Sequence, residues 1–478
     1  MRNNFLSFFF LVTLFLACMS HAVAMLPISY PPKQAVQQHP FIIKNVNVIA
    51  MTSPNKVLYH TTVIVRNGRI ESLSGAVQKD AIIIDGTDKW LIPGLIDVHV
   101  HPPTDLSLRP GMPTQPPSVT FNTQDLMTPY VANGVTTIVN LNANMEAFCQ
   151  RKEIQKGYVI GPRIAMAALI NGGVGPGRTA NTAEEGRQAV QDAKNEGYEF
   201  IKLYSQLNVE TFVAIIDEAN KLGLKTIGHI PNAFQGKLEQ AFIPHFDMVA
   251  HAEEFSKHAK DFSEQEAQRF AQLAKQNGTW LSPTLIASVR IAEQVRSLDS
   301  LKALSTLQYV PPLLQSKWLT ANSYNKNASP ERVDYFDKLV QFHFQLVRSF
   351  KEIGVPIVAG TDAGVSGVVW GFSLHDELAL LAKAGLTPEE VLVSTTRLSA
   401  TWLGMASEVG TIEVGKVADL VLLNANPLED VANTRKISGV FVNGQWLPQT
   451  KLHAMLRELS KRNTASKAQY DWKKLIGR

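Results

Sequence analysis

The sequence contains very little cysteine. Two cysteines occur among 478 residues, and one of them, Cys18, lies in an N-terminal segment that we expect to be cleaved. A mature chain with Cys149 alone forms no intramolecular disulfide. The sequence therefore excludes a disulfide-stabilised scaffold, and the mature chain depends on a packed core, which a chain of this length can bury.

The N-terminal apolar run is too short for a comfortable membrane span. It covers residues 5–17, follows a short positive start and precedes a small-residue triplet, Ala-Val-Ala, that ends at Ala24. This arrangement is typical of a secretory signal peptide over residues 1–24. An alternative is lipid attachment at Cys18, since the residues around it faintly resemble a lipoprotein box. We therefore predict an exported protein, in a bacterial periplasm, without stable membrane insertion.

The net charge is small for a chain of this size. The formal charge is +4, charged residues make up 18% and hydrophobic residues 45%, which is typical of a globular protein and not of a disordered one. Residues 451–478 carry eight lysines and arginines against two acidic residues. We interpret this basic tail as a solvated terminal helix in preference to a nucleic-acid or membrane patch. The expected partner is a small-molecule substrate, with no nucleic acid, and homo-oligomerisation is left open.

Short β segments at both ends of the chain flank a long middle region. Each end contains a hairpin turn, Asn67-Gly68 in the first and Asn443-Gly444 in the second, and Asn-Gly is a strong hairpin signal. No short-period internal repeat is visible. We predict that residues 25–90 and 409–450 pair into one composite β-sandwich domain.

The middle region, residues 91–408, alternates apolar β-rich runs with helical patterns. Such alternation predicts an α/β fold, a (β/α)8 barrel of the TIM type. Residues from about 290 to 355 are helical and longer than one barrel helix, so we predict a helical insertion before the eighth strand. The eight predicted strands are residues 91–100, 135–141, 163–170, 200–204, 225–229, 248–251, 280–285 and 356–361.

Two histidines end the first predicted barrel strand. His99 and His101 are two residues apart, so in a strand both side chains point to the same face. The chemistry of such barrels lies at the C-terminal ends of the strands. Two imidazoles on one face there can hold one metal ion.

Titratable residues end several other predicted strands. His229 ends the fifth, His251 the sixth, and Asp362 follows the eighth. A single histidine in such a position is more often a core residue, and the aspartate can also be a helix N-cap. Their joint occurrence favours further metal ligands at the same end of the barrel.

The direction of Lys202 in the fourth strand is informative. If Ile201 and Leu203 pack against the helices, Lys202 and Tyr204 point into the barrel. A buried ammonium among histidines and metal ions is unfavourable. A neutral amine, in contrast, reacts with carbon dioxide to form a carbamate with two ligand oxygens. The alternative is a lysine whose amine reaches solvent at the strand end.

These motifs together resemble the signatures of the amidohydrolase superfamily of metal-dependent hydrolases. The similar stretches are Pro-Gly-Leu-Ile-Asp-Val-His-Val-His at residues 93–101 and the Gly-Thr-Asp sequence that ends at Asp362. Residues 201–205 and 228–231 are similar to exported members of the imidazolonepropionase-like and Xaa-Pro dipeptidase-like groups. The resemblance extends from about residue 41 to residue 447.

The resemblance implies a site for two divalent metal ions, expected to be zinc. His99, His101 and Asp362 would bind the more buried ion. His229 and His251 would bind the more exposed one. A carboxylated Lys202 would bridge both ions.

The expected reaction is hydrolysis of an amide-like C–N bond in a dipeptide, an N-acyl amino acid or a cyclic amide. A metal-bridging hydroxide would attack the carbonyl carbon, with Asp362 as the general acid and base. Tyr204 would donate to the oxyanion or to a substrate carboxylate, or else serve core packing. The alternatives are a mononuclear deaminase-like enzyme that uses Glu253 or Glu254, a lactone or ester hydrolase, and an inactive metal- or ligand-binding barrel.

Three loops after the strands are expected to shape the pocket. They are residues 102–124, 171–178 and 365–374, and none carries a readable motif, so the sequence leaves the substrate open. His375 follows the third loop, near enough to reach a substrate, but we favour a surface helix position for it.

Overall fold

A computed structural model of the chain describes residues 39–75, 79–104 and 120–476. The predicted signal peptide, Cys18 and the central part of the loop at 102–124 lie outside these ranges. The strands are β1 (Phe41–Ile49), β2 (Val57–Arg66), β3 (Arg69–Ser72), β4 (Ile82–Asp85), β5 (Trp90–Pro93), β6 (Leu95–Val100), β7 (Val135–Asn140), β8 (Arg163–Asn171), β9 (Arg178–Thr179), β10 (Phe200–Leu203), β11 (Lys225–Gly228), β12 (Met248–Ala250), β13 (Trp280–Ser282), β14 (Leu420–Leu423), β15 (Ile437–Val442) and β16 (Gln445–Pro448).

Helices follow most of the strands in the middle of the chain. The α-helices are α1 (Thr123–Ala132), α2 (Met145–Gln155), α3 (Ala183–Glu196), α4 (Val209–Lys221), α5 (Glu253–Ser256), α6 (Glu264–Asn277), α7 (Leu285–Arg296), α8 (Asp299–Lys302), α9 (Pro312–Thr320), α10 (Pro330–Ile353), α11 (Phe372–Lys383), α12 (Pro388–Ser394), α13 (Arg397–Trp402), α14 (Gln449–Ser466) and α15 (Trp472–Ile476). No helix among the described residues combines the length and the apolar composition that a membrane crossing needs.

The middle of the chain forms the predicted barrel. Seven parallel strands pair in the order β13, β12, β11, β10, β8, β7 and β6, and each is buried over most of its length. Helices α3, α4 and α6 each begin at a polar N-cap, and α3 and α6 end at a left-handed glycine, which is the usual punctuation of βα units. The TIM-type fold class predicted from the alternation of β and α patterns is thereby confirmed.

The eighth barrel strand, predicted at residues 356–361, is not a regular strand. Hydrogen bonds nevertheless close the barrel through this segment, from Val358 N to the Leu281 oxygen and from Val98 N to the Ala359 oxygen. The reason for the irregular path is local, because Gly360 passes so close to His99 that a Cβ at this position would collide with the histidine side chain. Asp362 then has a left-handed backbone, and a hydrogen bond from His101 N to the Ala363 oxygen continues the contact with the first barrel strand beyond it.

The first barrel strand is shorter than predicted. The prediction of one strand over residues 91–100 is wrong, because this stretch contains two strands. Trp90–Pro93 pairs with β1 and β14 in a second sheet, whereas Leu95–Val100 pairs with β7 in the barrel. Gly94 lies at the break, where a Cβ would collide with the side chain of Thr136. One short stretch of chain therefore belongs to both sheets.

The second sheet combines strands from the two ends of the chain. Its order is β16, β15, β14, β5, β1, β2 and β3, with β4 beside β1. The central contact between the two ends is antiparallel and sets Leu420 opposite Pro93 and Leu422 opposite Leu91. One face of this sheet, which includes Ile49, Ile92 and Val421, belongs to the same hydrophobic cluster as the barrel and its helices, so burial of apolar side chains holds the sheet against the barrel.

A helical region lies between β13 and the closing segment. The long helix α10 begins at a Ser329 N-cap with Pro330 in its first turn and ends at Gly354 in the left-handed conformation. It packs against α6 and α7 and buries one face, which includes Phe342, His343 and Phe350. The insertion is therefore fixed to the barrel by a hydrophobic helix–helix interface.

The basic tail predicted at residues 451–478 is helical over α14 and α15. Leu452 and Leu459 of α14 are buried, α14 packs against α1, and Arg462 forms an ion pair with Asp125 of that helix. Most of its lysines and arginines are exposed. The tail thus combines a docked apolar stripe with a solvated basic face.

Candidate metal centre

One cavity of about 330 Å³ opens at the C-terminal ends of the barrel strands. The side chains that the sequence suggested as metal ligands all line it. They are His99, His101, Lys202, His229, His251 and Asp362. The structure thus brings together residues from five strands or strand ends, while their role as ligands stays a prediction.

Backbone conformation aims two of these side chains inward. His251 and Asp362 have positive φ angles of 77° and 60°, respectively, in the left-handed region that non-glycine residues rarely adopt. Each of them follows directly on a buried segment of the barrel wall. Such strain is retained where it positions functional groups, so both side chains turn toward the cavity as soon as the barrel wall ends.

The tightest group consists of His99, His101 and Asp362. Their ligand atoms lie within 4.8 Å of one another. The Nε2 atoms of the two histidines are 3.3 Å apart, and Oδ1 of Asp362 lies 3.3 Å from Nε2 of His99 and 3.0 Å from Nε2 of His101. Two imidazole nitrogens and a carboxylate oxygen directed at one point form a donor set typical of zinc-class ions.

The charge state of this group suits a cation. Burial raises the pKa of Asp362, but His251, the hydrogen bond with His101 and the charge of Lys202 outweigh burial and hold the pKa well below its usual range. Burial, together with the charge of Lys202, holds the pKa of His99 well below its usual range. The site therefore offers an ionised carboxylate and a neutral imidazole, the forms in which both residues bind metals.

Lys202 is almost completely buried, with 1% of its surface exposed. Burial lowers its pKa to about 8, although the carboxylates of Asp362 and Glu254 oppose the shift. Its Nζ has no hydrogen-bond partner within the described ranges. A buried amine without a partner is costly.

The two remaining histidines are each held through Nδ1. His229 Nδ1 lies 2.9 Å from Ser205 Oγ and 2.9 Å from Glu254 Oε1. His251 Nδ1 lies 2.8 Å from Thr284 Oγ1. Because Nδ1 is engaged, Nε2 is the nitrogen that each ring has left to bind a metal, the usual arrangement of a supported histidine ligand.

Glu254 is therefore a supporting residue and does not face the cavity. It is fully buried, and it also accepts hydrogen bonds from Ile230 N at 3.0 Å and from Lys257 Nζ at 2.7 Å. Burial raises its pKa, but His229 and Lys257 outweigh burial and hold the pKa well below its usual range. Of the two glutamates considered for a deaminase-like mechanism, Glu253 alone lines the cavity.

Asp97 supports the centre from below. Its carboxylate accepts hydrogen bonds from His99 N, from Thr361 N and, at 2.7 Å, from Thr361 Oγ1. It thus ties β6 to the segment that carries Asp362. Burial raises its pKa to about 7. Its place in the first-strand motif was visible in the sequence, but this role was not.

The cavity walls are formed by loops and by the helical insertion. The Tyr204 ring lies 4.3 Å from the His229 ring, measured between centroids, and lines the cavity as predicted from its strand position. Tyr324, in the insertion, also lines the cavity, and burial raises its pKa to about 12. Sequence reasoning missed Tyr324, because nothing in the local pattern links residue 324 to the barrel strands.

His375 is not a surface residue, contrary to the prediction. It lies on α11, is buried, and its Nδ1 lies 2.9 Å from Oγ1 of Thr434. It does not line the cavity. The helical position was inferred correctly, but its face packs inward against the segment before β15.

Comparisons with known proteins agree with this geometry. Residues 90–447 match the model of the amidohydrolase family. An imidazolonepropionase from Thermoplasma volcanium is 34% identical over 103 residues, which are 20% of this chain and 24% of that enzyme, so the chain's match spans about a quarter of this relative. A 5-methylthioadenosine/S-adenosylhomocysteine deaminase from Bacillus cereus is 21% identical over 443 residues, 84% of this chain and 92% of the deaminase.

A solved structure is similar over most of both chains. The structure of a candidate prolidase from Bifidobacterium longum has 25% sequence identity, covers 88% of this chain and 99% of its own, and has a TM-score of 0.65. The family match extends from β5 to β16 and therefore includes every residue of the metal centre. This chain belongs to the amidohydrolase family.

Proposed function

We propose that this chain is a binuclear metal-dependent hydrolase that cleaves an amide-like C–N bond. The observation that carries the proposal is the convergence of four histidines, Asp362 and Lys202 on one cavity. The likeness to a candidate prolidase supports a dipeptide as substrate, with N-acyl amino acids and cyclic amides as related candidates. In each of these the scissile carbonyl is flanked by nitrogen.

The fit of Lys202 supports two metal ions and not one. Its neutral amine would attack carbon dioxide, a new N–C bond would form, and one proton would leave, which gives a carbamate with two oxygens. That group would project into the cavity that Lys202 lines, and its oxygens would add ligands where Nζ has no hydrogen-bond partner among the described residues. His99, His101 and Asp362 would hold one ion, His229 and His251 the other, and the carbamate both.

When bound, the ions would supply Lewis-acid activation of the substrate carbonyl and of water. Asp362 would accept a proton from the attacking water and deliver it to the leaving nitrogen as the C–N bond breaks. Its depressed pKa keeps it ionised before the reaction. Tyr204 would donate a hydrogen bond to the carbonyl oxygen as negative charge develops there.

A mononuclear deaminase-like activity is a second candidate. The match to the deaminase covers 84% of this chain, and Glu253 lines the cavity as a carboxylate that is not a proposed ligand. In this case His99, His101 and Asp362 would hold a single ion. Lys202 would then have no part in metal binding, which separates the two candidates.

Metal analysis of purified protein tests the proposal. The wild-type chain is expected to hold about two zinc-class ions, and Lys202→Ala is expected to hold one or fewer. Lys225→Ala is the matched control, because Lys225 lies on the neighbouring strand with its Nζ bonded to the Trp402 carbonyl, outside the cavity. Its metal content should equal that of the wild type.

Activity screens complete the experiment. The metal-loaded protein is incubated with dipeptides, N-acyl amino acids, cyclic amides and lactones, and separately with aminopurines for ammonia release. Cleavage of a C–N bond with loss in Lys202→Ala supports the binuclear hydrolase. One ion in both proteins together with ammonia release would establish the deaminase-like candidate instead. A folded wild type that binds no metal after zinc and bicarbonate are supplied would refute both.

A further inference from the structure

A chain of hydrogen bonds runs from the cavity wall into the helical insertion. Ser288 of α7 lines the cavity, and its Oγ lies 3.0 Å from Nδ1 of His343 on α10. Nε2 of His343 lies 3.1 Å from Oγ of Ser256, whose hydroxyl donates to the carbonyl oxygen of Glu253 at 2.8 Å. The mechanism proposed above uses none of these groups, although His343 is fully buried.

The carbonyl oxygen of Glu253, at the far end of this series of hydrogen bonds, sets the donor and the acceptor of every bond in the series. A carbonyl oxygen only accepts, so Ser256 donates its single hydroxyl proton to Glu253. The Ser256 oxygen then accepts from His343, whose Nε2 must carry the proton. Burial lowers the pKa of His343 to about 3, so the ring is neutral and Nδ1 is an acceptor. Ser288 therefore donates its proton to Nδ1.

Ser288 consequently offers only oxygen lone pairs to the cavity. A serine hydroxyl ordinarily rotates and serves as donor or acceptor as its partner requires, but here its proton is already committed. Ser288 is partly exposed on the cavity side. The oxygen of a substrate carbonyl or carboxylate placed against Ser288 would face the lone pairs of Oγ with no proton between them, and the two oxygens would repel each other. An N–H or O–H group of the substrate would instead donate a hydrogen bond to Oγ.

We propose that Ser288 is a specificity-determining residue that accepts a hydrogen bond from an N–H group of the substrate, either an amino terminus or a non-scissile amide. This inference rests on the proposed function, since it names a substrate group at the same site. The side chain of Glu253 lines the same cavity, and its negative charge also favours an N–H donor. His343 and Ser256 act through Ser288 and are positioning residues.

Pairs of substrates that differ in one donor test the inference in the metal-loaded wild type. In the first pair, a terminal amino group is replaced by methyl. In the second pair, a non-scissile amide N–H is replaced by an ester oxygen. We expect kcat/KM to fall by about tenfold or more within one pair, chiefly through KM, and the pair that responds identifies the donor. Equal values within both pairs would overturn the inference.

Variants test whether Ser288, His343 and Ser256 cause the preference for the substrate that carries the N–H donor. Ser288→Ala should reduce the preference to about threefold or less, whereas Ser288→Thr keeps the hydroxyl and should retain it. Ser256→Ala frees the His343 proton to move to Nδ1 and should give an intermediate preference. Ser349→Ala is the control, because Ser349 is a buried serine of α10, the helix that carries His343, and it does not line the cavity. An unchanged preference in Ser288→Ala would contradict the inference.

Nitrogen NMR of the His343 ring decides the bond direction without turnover. The signals, assigned by comparison with His343→Gln, should show a protonated Nε2 and an unprotonated Nδ1 at neutral pH. A protonated Nδ1 would overturn the inference even in an active enzyme. If the wild type hydrolyses no candidate substrate, the proposed function fails. The affinities of the wild type for the same pairs of ligands are then measured by calorimetry in place of the kinetics. Equal affinities within both pairs would overturn the role of Ser288.

Discussion

Replacement of Glu254 by glutamine should weaken one metal site and leave the other intact. In the wild type, Oε1 of Glu254 lies 2.9 Å from His229 Nδ1 and 2.7 Å from Lys257 Nζ, and Oε2 accepts from Ile230 N. A glutamine can keep the bond to Ile230 N. Its amide NH2 group must then face two donors. His229 therefore loses the carboxylate whose negative charge raises its basicity, and it keeps the contact with Ser205 Oγ.

The expected magnitude follows from the role of such supporting residues. Loss of a carboxylate behind a histidine ligand costs about 10- to 100-fold in metal affinity, or about 1.4 to 2.7 kcal/mol. This loss should fall on the ion held by His229 and His251. Among the described residues, no hydrogen bond or ion pair joins Glu254 to His99, His101 or Asp362. The metal affinity of those three residues should therefore stay unchanged.

Zinc titration against a chromophoric chelator measures both affinities in one experiment. Two binding steps are expected in the wild type, and only one of them should shift in Glu254→Gln. Glu253→Gln is the matched control, because the neighbouring carboxylate is 49% exposed and contacts Lys257 at 3.4 Å without touching a histidine. The reasoning would be refuted if both zinc affinities of Glu254→Gln lay within twofold of the wild-type values. It would also be refuted if Glu253→Gln lost as much zinc affinity as Glu254→Gln.

Three further predictions concern stability. Burial lowers the pKa of His375 from 6.5 to about 3, so below about pH 6.5 the unfolded chain binds a proton that the folded chain does not. The free energy of unfolding should therefore fall by up to about 1.4 kcal/mol for each unit that the pH decreases. In urea titrations, the difference in this free energy between pH 7 and pH 5 should be smaller in His375→Gln than in the wild type. Gly360→Ala should destabilise the fold by about 1–3 kcal/mol and lower zinc retention, because its Cβ would displace His99; unaltered thermal unfolding and metal content would contradict this. Leu459→Ala should cost about 2–5 kcal/mol, because Leu459 anchors α14, and a melting temperature equal to that of an exposed Lys461→Ala control would show that the tail is not docked.

The arrangement of the metal centre could be anticipated from the sequence because its rules are local. His99 and His101 share a face by strand alternation, and the same alternation turns Lys202 inward when Ile201 and Leu203 face the helices. Barrel topology then places all the strand ends on one side. The clustering of His229, His251 and Asp362 with them needed no knowledge of side-chain contacts.

The supporting residues could not be anticipated, because tertiary contacts determine them. Glu254 follows His251 in sequence but supports His229, and Thr284 reaches His251 from the next strand end. Tyr324 and His343 come from the insertion, whose helical periodicity predicts a buried face but not what that face meets. The breaks at Gly94 and Gly360 were missed because they arise from close approach to side chains distant in sequence.

The double membership of the stretch around Gly94 has a kinetic consequence. The strand that carries His99 and His101 continues directly from Trp90–Pro93, whose partner is β14 near the other end of the chain. Residues 94–419 separate the two strands, and pairings between residues so distant in sequence form slowly. During synthesis, Trp90–Pro93 therefore lacks its β14 partner until the ribosome has released Leu420–Leu423. A chain that stops before this strand should leave one edge of Trp90–Pro93 unpaired, directly before the strand that carries His99. That edge would be open to proteases and to capture by other unfinished chains.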